Sequence, residues 1–264
     1  MKNSVLFVIP KPNPKPVARL FFFPFAGGSA TTYIPWIEHF NQDIEAVLIQ
    51  PPGRASRFSE PTHEDMDSVI NELIQHAPQM TDVPYIVFGH SLGSCIAFAL
   101  TQKLQLLGFP IPQYFIASGS KAPHLEHTEE RIYDLPEVEF VDRLEKFNGT
   151  PKEILSDAGL MEYFIPLLRS DFKISYHYQA KLTKIACPAL IMGGKLDEIA
   201  NHEQLAAWQD LFAAPIHIIY FSGGHFFINE AKLAVIQEIN NIITRVLSNQ
   251  KSRHIEIKQK SCIE

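Results

Sequence analysis

Gly89-His90-Ser91-Leu92-Gly93 sets a serine between two glycines. The apolar run 85–88 precedes it and a helical stretch starts at Leu92. A strand–turn–helix of this kind is a nucleophile elbow: the turn is sharp, so small flanking residues are required and the hydroxyl stands beyond the strand's carboxyl end. The helix amino terminus behind it favours developing negative charge. A hydroxyl is a weak nucleophile and needs a base held by an acid. Asp197 follows the run 189–192 in Gly193-Gly194-Lys195-Leu196-Asp197-Glu198. His225 follows the run 216–221 in Ser222-Gly223-Gly224-His225. Serine, acid, histidine is the chain order that an elbow serine requires. Glu198 is the alternative acid; Asp197 is preferred for its place in the loop. Among 11 histidines, His225 stands out because two glycines let its loop fold inward. His90 is expected to pack or hydrogen-bond its own turn, and Cys95 to fill space.

Acyl transfer also needs donors for an oxyanion. One is expected to be the N–H of Leu92, the residue after the serine. The other is expected from Phe23-Pro24-Phe25-Ala26-Gly27-Gly28-Ser29, with Ala26 preferred and Phe25 second. Gly27-Gly28 lacks the Lys-Ser/Thr ending of a phosphate loop and the third glycine of a dinucleotide site. No metal-ligand spacing is present. No metal and no cofactor are expected.

Positioning these groups requires strands that end at one rim. Short apolar runs lie at 20–23, 46–49, 85–88, 114–117, 189–192 and 216–221, with helical stretches at 62–79, 92–107, 202–212 and 229–247. Continuous rather than alternating apolar strands suit a sheet covered on both faces. The strand–helix alternation predicts a doubly wound α/β fold, a mostly parallel central sheet with right-handed crossovers and helices on both faces; the elbow and the order serine, acid, histidine fit the α/β-hydrolase type. One domain is expected over 1–264, with a helical lid insertion at about 124–177, interrupted at Pro136, Gly149, Pro151, Gly159 and Pro166, and a flexible polar tail at about 249–264.

The 264 residues carry a net charge of −6, with 46% apolar and 20% charged residues, a globular composition. A mildly acidic chain without a basic run argues against nucleic acid as the main partner. No run reaches the length of a membrane span, and the early apolar stretch is too short for a signal peptide. Cys95, Cys187 and Cys262 are widely spaced, which predicts a reduced, cytoplasmic protein.

The chain resembles type II thioesterases, the stand-alone α/β-hydrolases of nonribosomal peptide and polyketide assembly lines. The resemblance runs from about residue 19 to 247. It rests on FFFPFAGGSA (21–30), QPPGRASRFSEP (50–61), FGHSLGS (88–94), LRSDFKISYHY (168–178) and GGHFFI (223–228). Pro52-Gly53-Arg54, followed by Arg57, is more specific than the elbow. The resemblance places the catalytic residues on Ser91, Asp197 and His225 and the oxyanion donors on Ala26 and Leu92. It implies hydrolysis of acyl groups from the phosphopantetheine thiol of an acyl or peptidyl carrier protein, as proofreading. A small-molecule carboxylesterase or lipase, and a catalytically silent acyl-binding protein, are the alternatives on the same residues. Phe140, Leu144, Phe147, Leu160, Tyr163 and Phe164 either shape a channel in the lid or pack it on the sheet. Arg54, Arg57 and Lys121 either meet an acidic carrier protein or form internal pairs; Arg54 alternatively orients a loop through a carboxylate.

Overall fold

The computed structural model describes residues 4–147, 149 and 155–260. Seven strands form one sheet in the order β1-β3-β2-β4-β5-β6-β7. They are β1 (Phe7–Val8), β2 (Ala18–Phe23), β3 (Ile44–Ile49), β4 (Tyr85–His90), β5 (Tyr114–Ser118), β6 (Ala189–Gly194) and β7 (His217–Phe221). All neighbours pair in parallel except β1, which runs antiparallel on β3. The six predicted strands are present. The two-residue β1 lay outside the prediction, because pairing with β3, and not its own periodicity, makes it a strand.

Every residue of β2 through β6 is buried, as a sheet covered on both faces requires. Successive side chains go to opposite faces. Phe21, Phe23, Tyr85 and Val87 pack with α1 (Met66–Ile74) and α3 (Leu92–Leu106). Leu20, Phe22, Ile86 and Phe88 pack with the 3₁₀ segment Ala30–His39 and with the last helix, α8 (Lys232–Lys260). On the first face Phe98, Phe115, Trp208 and Phe212 form a ring cluster, with Phe98–Trp208 centroids 5.5 Å apart and Phe115–Phe212 5.3 Å apart.

The helix predicted over 62–79 divides into α1 and a short α2 (Ala77–Met80). Asp65 caps α1, accepting the Ser68 N–H at 2.7 Å. Pro78 ends it: its ring would clash with the carbonyl of residue 74, the last residue of α1. The stretch 202–212 is α6 (His202–Ala206) followed by a 3₁₀ turn, and α7 (Phe227–Glu230) precedes α8. The last helix runs through most of the expected tail, as far as Lys260; residues 261–264, with Cys262, lie outside the described residues.

Between β5 and β6 stand α4 (Glu137–Phe147) and α5 (Ala158–His177), with no strand among the described residues there. Pro166 and Gly159 were expected as breaks, yet both lie inside α5. An interior proline costs about 3 kcal/mol. Burial of Met161, Ile165 and Leu168 against α4, and of Leu167 and Ile174 on another side of α5, outweighs it. Pro151 lies outside the described residues.

At the amino-terminal ends of the strands, Arg19 on β2 donates from Nε to Glu45 on β3 at 2.7 Å and also pairs with Asp82.

Phe98 is fully buried at the centre of the ring cluster. Phe98→Ala is expected to lower unfolding stability by about 3–5 kcal/mol in a urea titration. A loss below about 1 kcal/mol would mean that the cluster collapses around the hole.

Candidate active site

Ser91 follows β4 directly and has φ +52°. Ala55 is the one other non-glycine residue with positive φ among those described. A left-handed serine costs about 1–3 kcal/mol and persists only where its surroundings over-determine it. Here they do. The Ser91 N–H donates to the Ser118 carbonyl at 2.8 Å. Ser94 Oγ donates to the Gly89 carbonyl at 2.7 Å and accepts the Ser118 N–H at 3.1 Å. A Cβ at Gly93 would collide with the backbone carbonyl of Phe23, so only glycine lets α3 approach the end of β2. Because α3 starts at Leu92, the Leu92 N–H is one of the helix's first four donors without an intrahelical acceptor.

Asp197 lies in the loop after β6 and is buried, whereas Glu198 is exposed. Its Oδ1 accepts the Ile199 and Ala200 N–H groups at 2.9 and 3.3 Å. Its Oδ2 lies 3.0 Å from His225 Nδ1. The two loops are tied by the Leu196 N–H donating to the Gly223 carbonyl at 3.0 Å. Of the two candidate acids, Asp197 is the one that meets His225.

Ser91 and His225 line one cavity of about 770 Å³, together with Phe25 and Ala26. Among the described residues no hydrogen bond joins Ser91 to His225. A nucleophile–base bond is often loose before substrate arrives, so the shared cavity leaves both in place for one.

His90 packs behind the site but hydrogen-bonds the end of β5 and not its own turn. It is completely buried, its Nδ1 lies 2.9 Å from Ser118 Oγ, and its ring packs 5.2 Å from that of His225. Burial first, and neighbouring His225 second, hold its pKa well below the usual range, so His90 stays uncharged. Cys95 forms part of the cavity wall, and burial pushes its thiol pKa up. It remains a thiol, in keeping with a space-filling role. Among the described residues no group of side chains is arranged to hold a metal ion.

The chain leaves β2 through a tight turn in which the Gly28 N–H donates to the Phe25 carbonyl at 2.8 Å. Gly27 takes φ +79°, the left-handed third position of a type II turn. Ala26 occupies the second position, at the cavity wall.

The aromatic and aliphatic candidates of the insertion divide. Phe140 and Leu144 are buried in a small core with Met161, Ile165 and Leu168, and Phe164 packs against it. Leu144 and Phe147 also line the cavity. Leu160 and Tyr163 are exposed.

The basic candidates form internal pairs. Arg54 meets Asp171, Arg57 meets Glu60 and Glu72, and Lys121 meets Glu129. Asp171, buried on α5, escaped the sequence reading; its one signal was its place within the resembling stretch 168–178. Glu72 is partly buried, which opposes ionisation, but hydrogen bonds from His63 and Arg57 outweigh burial and hold its pKa at about 2.

A mostly parallel sheet with an elbow serine after β4, an acid after β6 and a histidine after β7 defines an α/β-hydrolase. Residues 18–243 match the model of the thioesterase domain. The chain is 31% identical over 220 residues to the gramicidin S biosynthesis protein GrsT of Aneurinibacillus migulanus, covering 83% of this chain and 86% of that one. It is 33% identical over 235 residues to a protein of Brevibacillus parabrevis named linear gramicidin dehydrogenase LgrE, covering 86% and 89%. The solved type II thioesterase BorB of the borrelidin biosynthetic cluster superposes with a TM-score of 0.80 at 26% identity, covering 94% and 98%. The chain belongs to the thioesterase family and is a thioester hydrolase.

Because the Glu72 pKa is lowered on folding, its stabilisation is present above about 4.5 and is lost as pH falls towards 2. Glu72→Gln is expected to lower the melting temperature at pH 7 and to flatten its decline below pH 4.5. Equal melting curves for both proteins across that window would remove Glu72 from the acid response.

Proposed function

We propose that this thioesterase removes acyl groups from the phosphopantetheine thiol of an acyl or peptidyl carrier protein, as a type II, proofreading enzyme of nonribosomal peptide or polyketide assembly. The relatives named for gramicidin S and borrelidin biosynthesis support the assembly-line setting. The observation that carries the chemistry is the Asp197–His225 contact on the wall of the cavity that also holds the left-handed Ser91.

Ser91 Oγ attacks the thioester carbonyl while His225 Nε2 takes its proton. Asp197 holds the imidazole tautomer and stabilises the imidazolium that forms. The N–H groups of Ala26 and Leu92 receive the oxyanion. Collapse breaks the C–S bond, and His225 returns the proton to the departing thiolate. Water then enters; His225 takes its proton as it attacks the acyl-serine. The carboxylic acid leaves and Ser91 is restored. A thiol, with a pKa near 8.5, is a much better leaving group than an alcohol.

In this reading α4 and α5 form the lid of a single domain, with Leu144, Phe147 and Leu168 facing the acyl group. The carrier protein approaches without help from Arg54 and Arg57, which are occupied internally. Among the described residues no helix is long and apolar enough to cross a membrane. The free thiols of Cys95 and Cys187 and a carrier-protein partner support a cytoplasmic enzyme.

Ser91→Ala is expected to fold and to lose at least about 1000-fold in turnover. Rates on acyl carrier protein, acyl coenzyme A and a soluble ester of the same acid, measured side by side, should rank the carrier-bound thioester first for the parent. A parent that prefers the free ester and gains nothing from the carrier would be a carboxylesterase. A serine that a fluorophosphonate does not label would indicate a silent binding protein.

A further inference from the structure

Arg54 takes no part in the proton relay, yet it is buried beside the turn that carries Ala26. Its Nη1 donates to Asp171 Oδ2 at 2.5 Å and its Nη2 to Oδ1 at 2.9 Å, a two-pronged grip. The same Oδ2 accepts the Gly27 N–H at 2.7 Å. Arg54 Nη1 also donates to the Gly28 carbonyl at 3.3 Å, and its Nε to the Pro52 carbonyl at 3.2 Å. Gln50, at the end of β3, donates to the Arg54 carbonyl at 3.0 Å. The turn is therefore held twice: by its Gly27 N–H from α5 and by its Gly28 carbonyl from the arginine.

The peptide plane between Ala26 and Gly27 is rigid, so fixing the Gly27 N–H fixes that plane. The Gly28-to-Phe25 hydrogen bond closes the turn on the other side. Little freedom is left to the Ala26 N–H one residue earlier. We propose that Arg54 and Asp171 are positioning residues that aim the Ala26 N–H at the oxyanion. The proposal rests on the donor role given to Ala26 above. It assigns the Pro-Gly-Arg segment and the α5 carboxylate to turnover, through a turn that neither element belongs to.

A misplacement of about 1 Å in a catalytic group costs on the order of 100-fold, and outright loss of an oxyanion donor costs about 100- to 1000-fold. Two paired replacements separate aiming from folding. Arg54→Met with Asp171→Leu removes both charges together and leaves Gly27 without an acceptor. Arg54→Gln with Asp171→Asn also removes both charges but keeps an acceptor oxygen. With hexanoyl-N-acetylcysteamine as substrate, the Met/Leu protein is expected to keep KM within about twofold and to lose roughly 30- to 100-fold in kcat. Its affinity for hexylboronic acid, which forms a tetrahedral adduct on serine, should fall in parallel. The Gln/Asn protein should recover a measurable part of both. Parental kcat and boronate affinity in the Met/Leu protein would overturn the proposal. So would equal losses in the two paired variants. Should the Met/Leu protein not fold, Arg54→Lys keeps the charge and loses the two-pronged grip. A lower kcat at constant KM is then expected, and a parental kcat overturns the proposal. Ser91→Ala, run alongside, distinguishes the failures: retained turnover there brings down the serine mechanism itself, whereas a dead Ser91→Ala beside a fully active Met/Leu protein removes only the positioning role.

Discussion

The approach of α3 to the end of β2 governs the rest of the site. Gly93 lies against the Phe23 carbonyl with no room for a side chain, and this contact fixes two things together. It sets the angle at which the chain turns from β4 into α3, and so the left-handed conformation of Ser91. It also sets where the chain leaves β2, and so where the turn carrying Ala26 begins. Ser91 and the turn carrying Ala26 are thus registered against each other by backbone, not by long side chains. The strain at Ser91 is held from β5, whose Ser118 carbonyl accepts the Ser91 N–H, and from α3, whose Ser94 Oγ accepts the Ser118 N–H.

Much of this was legible in the sequence because it depends on local pattern. Continuous apolar runs mark strands covered on both sides, and the loops after them carry Ser91, Asp197 and His225 at one rim. The choice between Asp197 and Glu198 was legible only as a preference; burial of one and exposure of the other decide it. What escaped depends on partners far away in the chain. The charges of Arg54, Arg57 and Lys121 were plain, but not their acceptors. Asp171 is 117 residues from Arg54, and only the fold of α5 over the β2 turn brings them together. β1 exists because β3 offers an edge. Pro166 stays inside α5 because packing outweighs its local cost. The six apolar candidates of the insertion were read as a set, and helical phase divides them between a buried core, a cavity wall and solvent.

The insertion is bound to the site more closely than a cover would need to be. Leu168 and Asp171 of α5 sit against the Gly27 turn, and Gly149, after α4, packs against Phe226 beside His225. The walls of the cavity and the supports of the Gly27 turn therefore share one element. A substitution on α5 chosen to change the acyl group accepted can alter rate as well as selectivity.

The Arg19–Glu45–Asp82 cluster marks the opposite rim of the sheet, six residues of strand away from the chemistry. Its strength bears on the scaffold at the end of the strands away from Ser91, Asp197 and His225, whereas the Arg57–Glu72 pair stabilises the end that carries them. The remote pair is therefore the place where tolerance of heat can be engineered with least disturbance to the site.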